Sequence, residues 1–227
     1  MTDDDLGAVT ARILLDTHSI IYRPAQPFFF SSGWASPVYV DCKRLISYPV
    51  ARNAVVENAV AKILSVGGYD AFDVIAGGEG GGVPFASMIA DRLHLPLIVA
   101  RRERKGMGAQ AHVYGTFDAG RRILLVDDLT TDGRSKAAFC SGLRKAGAEV
   151  DYAFVLFKYG IFDHAVRDIE DAGINLFALA TWDDVLRVAR DRGVFGADIL
   201  EGIEAYVADP LRWSERHGGL GRDAAKA

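Results

Sequence analysis

Two adjacent carboxylates, Asp127 and Asp128, end a short apolar run (residues 123–126, ILLV) and are followed at once by Leu129, Thr130, Thr131, Asp132, Gly133, Arg134 and Ser135. The run reads as a strand buried on both faces of a parallel sheet. After the polar stretch, the spacing of Ala137, Ala138, Phe139, Leu143 and Ala146, stopped by Gly147, predicts a helix. In an open α/β sheet, ligands sit beyond the carboxyl ends of the strands, and a helix N-terminus offers its free N–H groups to an anion. Residues 130–135 are therefore a candidate phosphate cradle. Asp127 and Asp128 would repel a phosphate, so they must address another part of the same ligand, and vicinal hydroxyls fit because carboxylate oxygens accept O–H bonds. Sugar beside phosphate points to a ribose 5-phosphate. An acidic pair before a turn more often only solvates the turn and caps the helix; the complete order of strand, acids, hydroxyl and glycine loop, and helix outweighs that simpler role here.

Two other stretches could serve such a ligand. Residues 73–76 (DVIA) read as a strand leading into Gly77, Gly78, Glu79, Gly80, Gly81, Gly82, Val83 and Pro84, where repeated glycines let backbone come close to a ligand. This is not the dinucleotide fingerprint G-x-G-x-x-G, since the third glycine after Gly78 and Gly80 would be Val83. After a further strand at residues 96–100 (PLIVA), Arg101, Arg102, Arg104 and Lys105 surround one acid, Glu103. They open a stretch of about twenty residues without clear pattern, a length that is uncommon unless functional or disordered. Charge runs are commonly solvated surface. Next to a phosphate cradle, a mobile basic loop hinged at Gly106 and Gly108 instead fits a lid.

The elements that must position these residues follow from periodicity. A packing helix is expected within residues 1–22, with Leu6, Val9, Ile13, Leu14 and Ile20 or Ile21 on its apolar side. Residues 28–30 and 36–41 form a small hairpin about the turn 31–33, outside any βαβ unit and so a plausible hood. A helix over 46–66 presents Val50, Val55, Ala59, Ile63 and Leu64, and another covers about 85–93. Strands follow at 150–157 and 175–181, with helices at 165–172, 182–189 and 197–209. Residues 214–227 lose periodicity and read as a frayed, flexible tail. The alternation predicts an α/β fold, a parallel sheet flanked by helices, in one domain over 1–213, with the hood at about 23–43 and the loop at about 101–120.

Composition narrows the function. The 227 residues, 50% hydrophobic and 25% charged, suffice for one full core. A net charge of −4 argues against a nucleic-acid binder, which needs a basic surface. No apolar window reaches the length of a membrane span, and the start MTDDDLGAVT is acidic, unlike a targeting peptide, so a cytoplasmic protein with no membrane partner is expected. Two cysteines, Cys42 and Cys140, and five histidines without ligand spacing suggest neither a disulfide framework nor a metal held by protein side chains.

The order from Asp127 to Ser135 resembles the phosphoribosyl diphosphate (PRPP) motif of the type I phosphoribosyltransferases, and residues 13–206 as a whole are similar to the orotate phosphoribosyltransferases. The hood motif S-G-x-x-S-P matches Ser32, Gly33, Ser36 and Pro37, and the basic loop R-K-x-x-K matches Arg101, Glu103, Arg104 and Lys105, with Arg102 standing for its first lysine. The resemblance implies the type I phosphoribosyltransferase fold and the transfer of ribose phosphate from PRPP to orotate in pyrimidine synthesis. Catalytic roles would fall on Arg102, Lys105, Asp127 and Asp128. PRPP would be held by Arg101, Arg102, Lys105, Asp127, Asp128, Leu129, Thr130, Thr131, Asp132, Gly133, Arg134 and Ser135, and orotate by Val38, Tyr39, Thr131 and Lys158. It further implies Mg²⁺ carried mainly by PRPP, and a homodimer whose basic loop closes over the neighbouring subunit's site. Ser31, Gly81 and Met107 replace residues that are Lys, Lys and His in many members, and Lys158 stands where an Arg often meets the orotate carboxylate. These losses motivate a second reading, a PRPP-binding regulator that no longer catalyses; a purine in place of orotate is disfavoured by the hood motif.

Overall fold

The computed structural model describes residues 2–30, 32–102, 109–162 and 169–221. Helix α1 (Asp3–Asp16) starts at a capping box in which the Thr2 hydroxyl accepts the Asp5 N–H and the Asp5 carboxylate accepts the Thr2 N–H. It ends before His18, which takes a positive φ of 51°, and the chain turns into strand β1 (Ile20–Tyr22). Strands β2 (Phe28–Phe29), β3 (Ala35–Ser36) and β4 (Val38–Val40) follow, then a 3₁₀ turn (Cys42–Ser47) and α2 (Pro49–Gly67), whose proline occupies the first turn where its missing N–H costs nothing. Next come β5 (Val74–Gly78), α3 (Gly82–Leu93), β6 (Leu97–Ala100), a 3₁₀ turn (Ala109–His112), β7 (Val113–Tyr114), β8 (Arg122–Thr130), α4 (Arg134–Lys145) and β9 (Glu149–Lys158). Strand β10 (Asn175–Thr181) and helices α5 (Trp182–Arg192), α6 (Ala197–Ala208) and α7 (Pro210–Arg216) complete the chain.

Six strands form one sheet in the order β10-β9-β8-β5-β6-β7, parallel except for β7, which runs antiparallel to β6. Alternate residues of β8 feed two cores. Leu124 and Val126 join Phe85 and Ile89 of α3 and Val55, Ala59 and Ile63 of α2, whereas Ile123 and Leu125 join Phe139, Cys140 and Leu143 of α4. The expected parallel α/β architecture is thus present, with helices on both faces because neither face can remain wet.

Several expected elements are drawn differently. The first 22 residues hold a helix and a strand. The hairpin is two pieces: β3 pairs with β2, and β4 pairs with β1. Pro37, with no N–H to continue a ladder, separates them. Val50 is 86% exposed at the head of α2 and belongs to no core face. The stretch after β6 is not featureless, since β7 returns along β6 and the Arg101 N–H donates to the His112 carbonyl. The first half of the expected helix over 165–172 lies outside the described residues, and residues 169–171 are helical.

The expected tail needs the largest correction. Helix α7 covers residues 210–216, its buried Ser214 hydroxyl accepts the Ala35 N–H (2.9 Å), and the Leu220 N–H donates to the Gly33 carbonyl (3.0 Å). Residues 214–221 strap the hood, through single contacts too irregular to leave a period; residues 222–227 lie outside the described ones. Among the described residues no helix is long and apolar enough to cross a membrane.

Candidate active site

The acidic pair sits within β8, not after it: the strand continues to Thr130, with Asp127 opposite Val155 and Thr130 opposite Lys158. Pairing with the long β9 overrides the low strand preference of aspartate. The pleat then sends the two carboxylates to opposite faces. Asp127 follows the parity of Ile123 and Leu125 toward α4, where its Oδ2 lies 2.6 Å from the Lys136 ammonium; its Oδ1 accepts the Asp128 N–H at 2.9 Å. Asp128 follows Leu124 and Val126 toward α3 and the hood. There it lies against Gly81 so closely that a methyl group in that position would overlap the carboxylate. A side chain at Gly81 would have to displace the Asp128 carboxylate from its present position.

Burial, reinforced by the adjacent charge of Asp127 and opposed by Lys136, raises the Asp128 carboxyl to about 6. On the hood side Tyr39 and Lys43 meet, and Tyr39, then Asp128 and Asp41, hold the Lys43 ammonium above its ordinary range against the effect of burial. Beyond the strand, Gly133 takes φ 73°, a left-handed conformation that lets the chain turn directly into α4. The Asp132 carboxylate accepts the Arg134 N–H two residues on at 3.4 Å, a local turn contact just ahead of the helix.

These parts enclose a cleft of about 500 Å³. Its walls bring together the expected residues Tyr39, Arg102, Asp127, Asp128, Leu129, Thr131, Asp132, Arg134 and Ser135, together with Phe29 and Phe30 of the hood and Glu79 to Gly81 of the glycine loop. Glu79 also accepts the Arg102 N–H (3.1 Å), tying the glycine loop to the stem of the basic loop. Other expected residues stand elsewhere. Lys158, Thr130 and Gly133 line a neighbouring cavity of about 320 Å³ that shares Thr131 as a wall. Val38 is fully buried, with its carbonyl accepting the Ser36 hydroxyl. The Arg101 guanidinium lies 3.3 Å above the Tyr114 ring. Lys105, Ser31 and Met107 fall outside the described residues.

Lys43 and Lys136 line the cleft and were not expected there. Lys136 had one legible sign, a cation in the first turn of a helix, where the helix dipole disfavours it. Lys43 had none beyond following the hood. Chemically, the cleft offers acceptors for sugar hydroxyls, a helix N-terminus for a phosphate and cations at its rim. Among the described residues, no three His, Cys, Asp or Glu side chains converge to hold a metal.

The family model for the phosphoribosyl transferase domain matches residues 51–163. An orotate phosphoribosyltransferase of Sinorhizobium fredii is 43% identical over 221 residues, 97% of this chain and 95% of that protein. Among solved structures, the UMP synthase of Leishmania donovani superposes with a TM-score of 0.75 at 27% identity, over 88% of this chain and 42% of that one. The orotate phosphoribosyltransferase of Aeropyrum pernix gives 0.65 at 29% identity, over 81% and 99%.

Proposed function

The chain belongs to the orotate phosphoribosyltransferases, and from that premise we propose that its reaction takes place in the cleft between the hood and the carboxyl ends of β5 and β8. The enzyme is a pentosyltransferase that joins orotate to PRPP, yielding orotidine 5′-phosphate and diphosphate in pyrimidine synthesis. The reading of a regulator without activity, motivated by Ser31, Gly81 and Met107, is set aside because the relative matched over nearly the whole chain is an orotate phosphoribosyltransferase. What supports the site is one observation: the cleft unites the acidic pair, the loop to α4, the glycine loop and the hood.

Orotate N1 attacks the anomeric carbon as diphosphate leaves, so no nucleophilic side chain is required and the protein's task is to manage charge. Positive charge develops on the ribose, where Asp128 faces; negative charge grows on the diphosphate, toward which Arg102 and Lys105 are assigned. Residues 131–135 take the 5-phosphate at the start of α4. Phe29, Phe30, Tyr39 and Lys43 form the orotate side, with Lys43 supplying the charge for its carboxylate. We assign Mg²⁺ to the substrate; carried by PRPP, it would offset the leaving group's charge. A homodimer with the basic loop shared between subunits completes the proposal.

Orotate consumption, followed at its ultraviolet band with PRPP and Mg²⁺, tests the placement. Arg134→Ala is expected to raise the PRPP KM about tenfold, the loss of about one charge-assisted bond, with the orotate KM unchanged. An unaltered PRPP KM would remove residues 131–135 from the phosphate site.

A further inference from the structure

We infer that Lys136 is a positioning residue, one that immobilises Asp127 as a fixed anion and so leaves Asp128 as the single carboxylate presented to the ribose hydroxyls. The inference rests on the proposed site and divides the labour within it.

Three observations carry it. First, the ion pair is enclosed: the Lys136 and Asp127 side chains are 5% and 7% exposed, and their charged atoms are 2.6 Å apart. Lysine is almost never so buried unless paired. Second, both Asp127 oxygens are engaged, Oδ2 by Lys136 and Oδ1 by the Asp128 N–H. Gly78 and Gly82 crowd the same carboxylate; a methyl at Gly82 would come within 2.7 Å of Oδ1. Asp127 lines the cleft with each oxygen already bonded within the protein, whereas Asp128, which takes the Leu129 N–H, looks toward Tyr39 and Lys43. Third, Lys136 sits in the first turn of α4, where a cation works against the helix dipole, so the helix gains nothing from it. The cation is explained by its partner.

The electrostatic consequence follows. Two adjacent carboxylates raise each other's pKa, and a cation on one of them relieves both. Lys136 faces the pair from α4; Tyr39, Asp41, Cys42 and Lys43 face it from the hood and the turn after it, and Glu79, Arg102, Asp132 and Arg134 share the cleft. Among the described residues, Lys136 is the cation ion-paired with Asp127.

Steady-state kinetics on four variants test this. Lys136→Met should lower kcat about a hundredfold, the scale of losing orientation at a reacting centre, while moving the PRPP KM little. It should also shift the acid limb of the kcat/KM profile upward by about one pH unit, because the pair is then harder to ionise. Lys136→Arg should restore most of both. The decisive variant is Asp127→Asn with Lys136→Met: the amide oxygen introduced by Asp127→Asn can still accept the Asp128 N–H, and the neutral amide no longer repels Asp128. Activity should therefore rise above that of Lys136→Met alone, and this double variant leaves no unpaired charge from the former ion pair. No recovery in the folded double variant would show that Asp127 itself must be anionic toward substrate, and would overturn the inference. A raised PRPP KM with kcat intact in Lys136→Met would also overturn it, making Lys136 a phosphate ligand. Asp128→Asn keeps the two failures apart: full turnover in that variant would reject the site itself, whatever Lys136 does.

Discussion

At the scale of single residues, Asp128 is held where its charge is useful and uncomfortable. Its carboxyl is raised to about 6, chiefly by burial. Since the folded value exceeds the unfolded one, the stability it contributes is fully present below the unfolded pKa of about 4 and is lost as pH rises through about 6. Asp128→Asn, which cannot ionise, should therefore melt higher than the parent enzyme at pH 8, by on the order of 2–3 kcal/mol for a shift of about two units, and the two should converge toward pH 4. The same variant should lose about 10²–10³ in turnover, the usual result of removing one preorganised charge from a transition state. Thermal melts without substrate and initial rates measure the two effects on one preparation. Opposite signs are the point: stability gained and activity lost identify a site in tension, and a variant that lost both would mark Asp128 as structural. In the parent enzyme, kcat/KM should fall as pH drops through about 6, as the carboxylate assigned to the ribose takes up its proton.

At the scale of elements, the motif from β8 into α4 could be read from sequence because its chemistry is local: apolar strand, acids, glycine turn and helix occupy consecutive positions. The contacts that complete the cleft are not local. The Asp127–Lys136 pair depends on which face of β8 meets α4. The hood depends on Tyr159, whose buried hydroxyl accepts the Val40 N–H from 119 residues away, and on Ser214, 179 residues from Ala35. No periodicity encodes such partners, and for the same reason the sequence points to Lys158 and not to Lys43, since a strand-end position is visible in sequence and the lining of a cavity is not. Two predictions belong here. Lys43→Ala should raise the orotate KM at least tenfold, as the loss of a charge-assisted contact implies, with Lys158→Ala changing it less; the reverse ranking would return the carboxylate to Lys158. Ser214→Ala leaves the buried Ala35 N–H without its acceptor, a loss of about 1–3 kcal/mol. It should loosen the hood and raise the orotate KM several-fold at constant PRPP KM, and a uniform loss of activity would mean the strap supports the whole fold instead.

At the scale of the molecule, the open question is whose site the basic loop serves. Arg102 lines the cleft of its own subunit, and its N–H is held by Glu79. Lys105 lies three residues further on, within roughly 10 Å along an extended chain, so its closeness in sequence to Arg102 does not by itself assign it to the neighbouring subunit. Complementation separates the two. Lys105→Ala and Asp128→Asn should each leave a homodimer nearly inactive. Mixed under conditions of subunit exchange, random pairing gives about half heterodimers. If the loop is shared, each heterodimer has one site bearing both lesions and one bearing neither, and activity returns to about a quarter of the parent level. If the loop serves its own subunit, every site in every heterodimer keeps one lesion and nothing returns. Exchange must be confirmed independently, for example by native mass spectrometry of differently tagged chains. Heterodimers in the expected amount with flat activity would then place Lys105 in the site of its own chain, and the shared arrangement would be discarded.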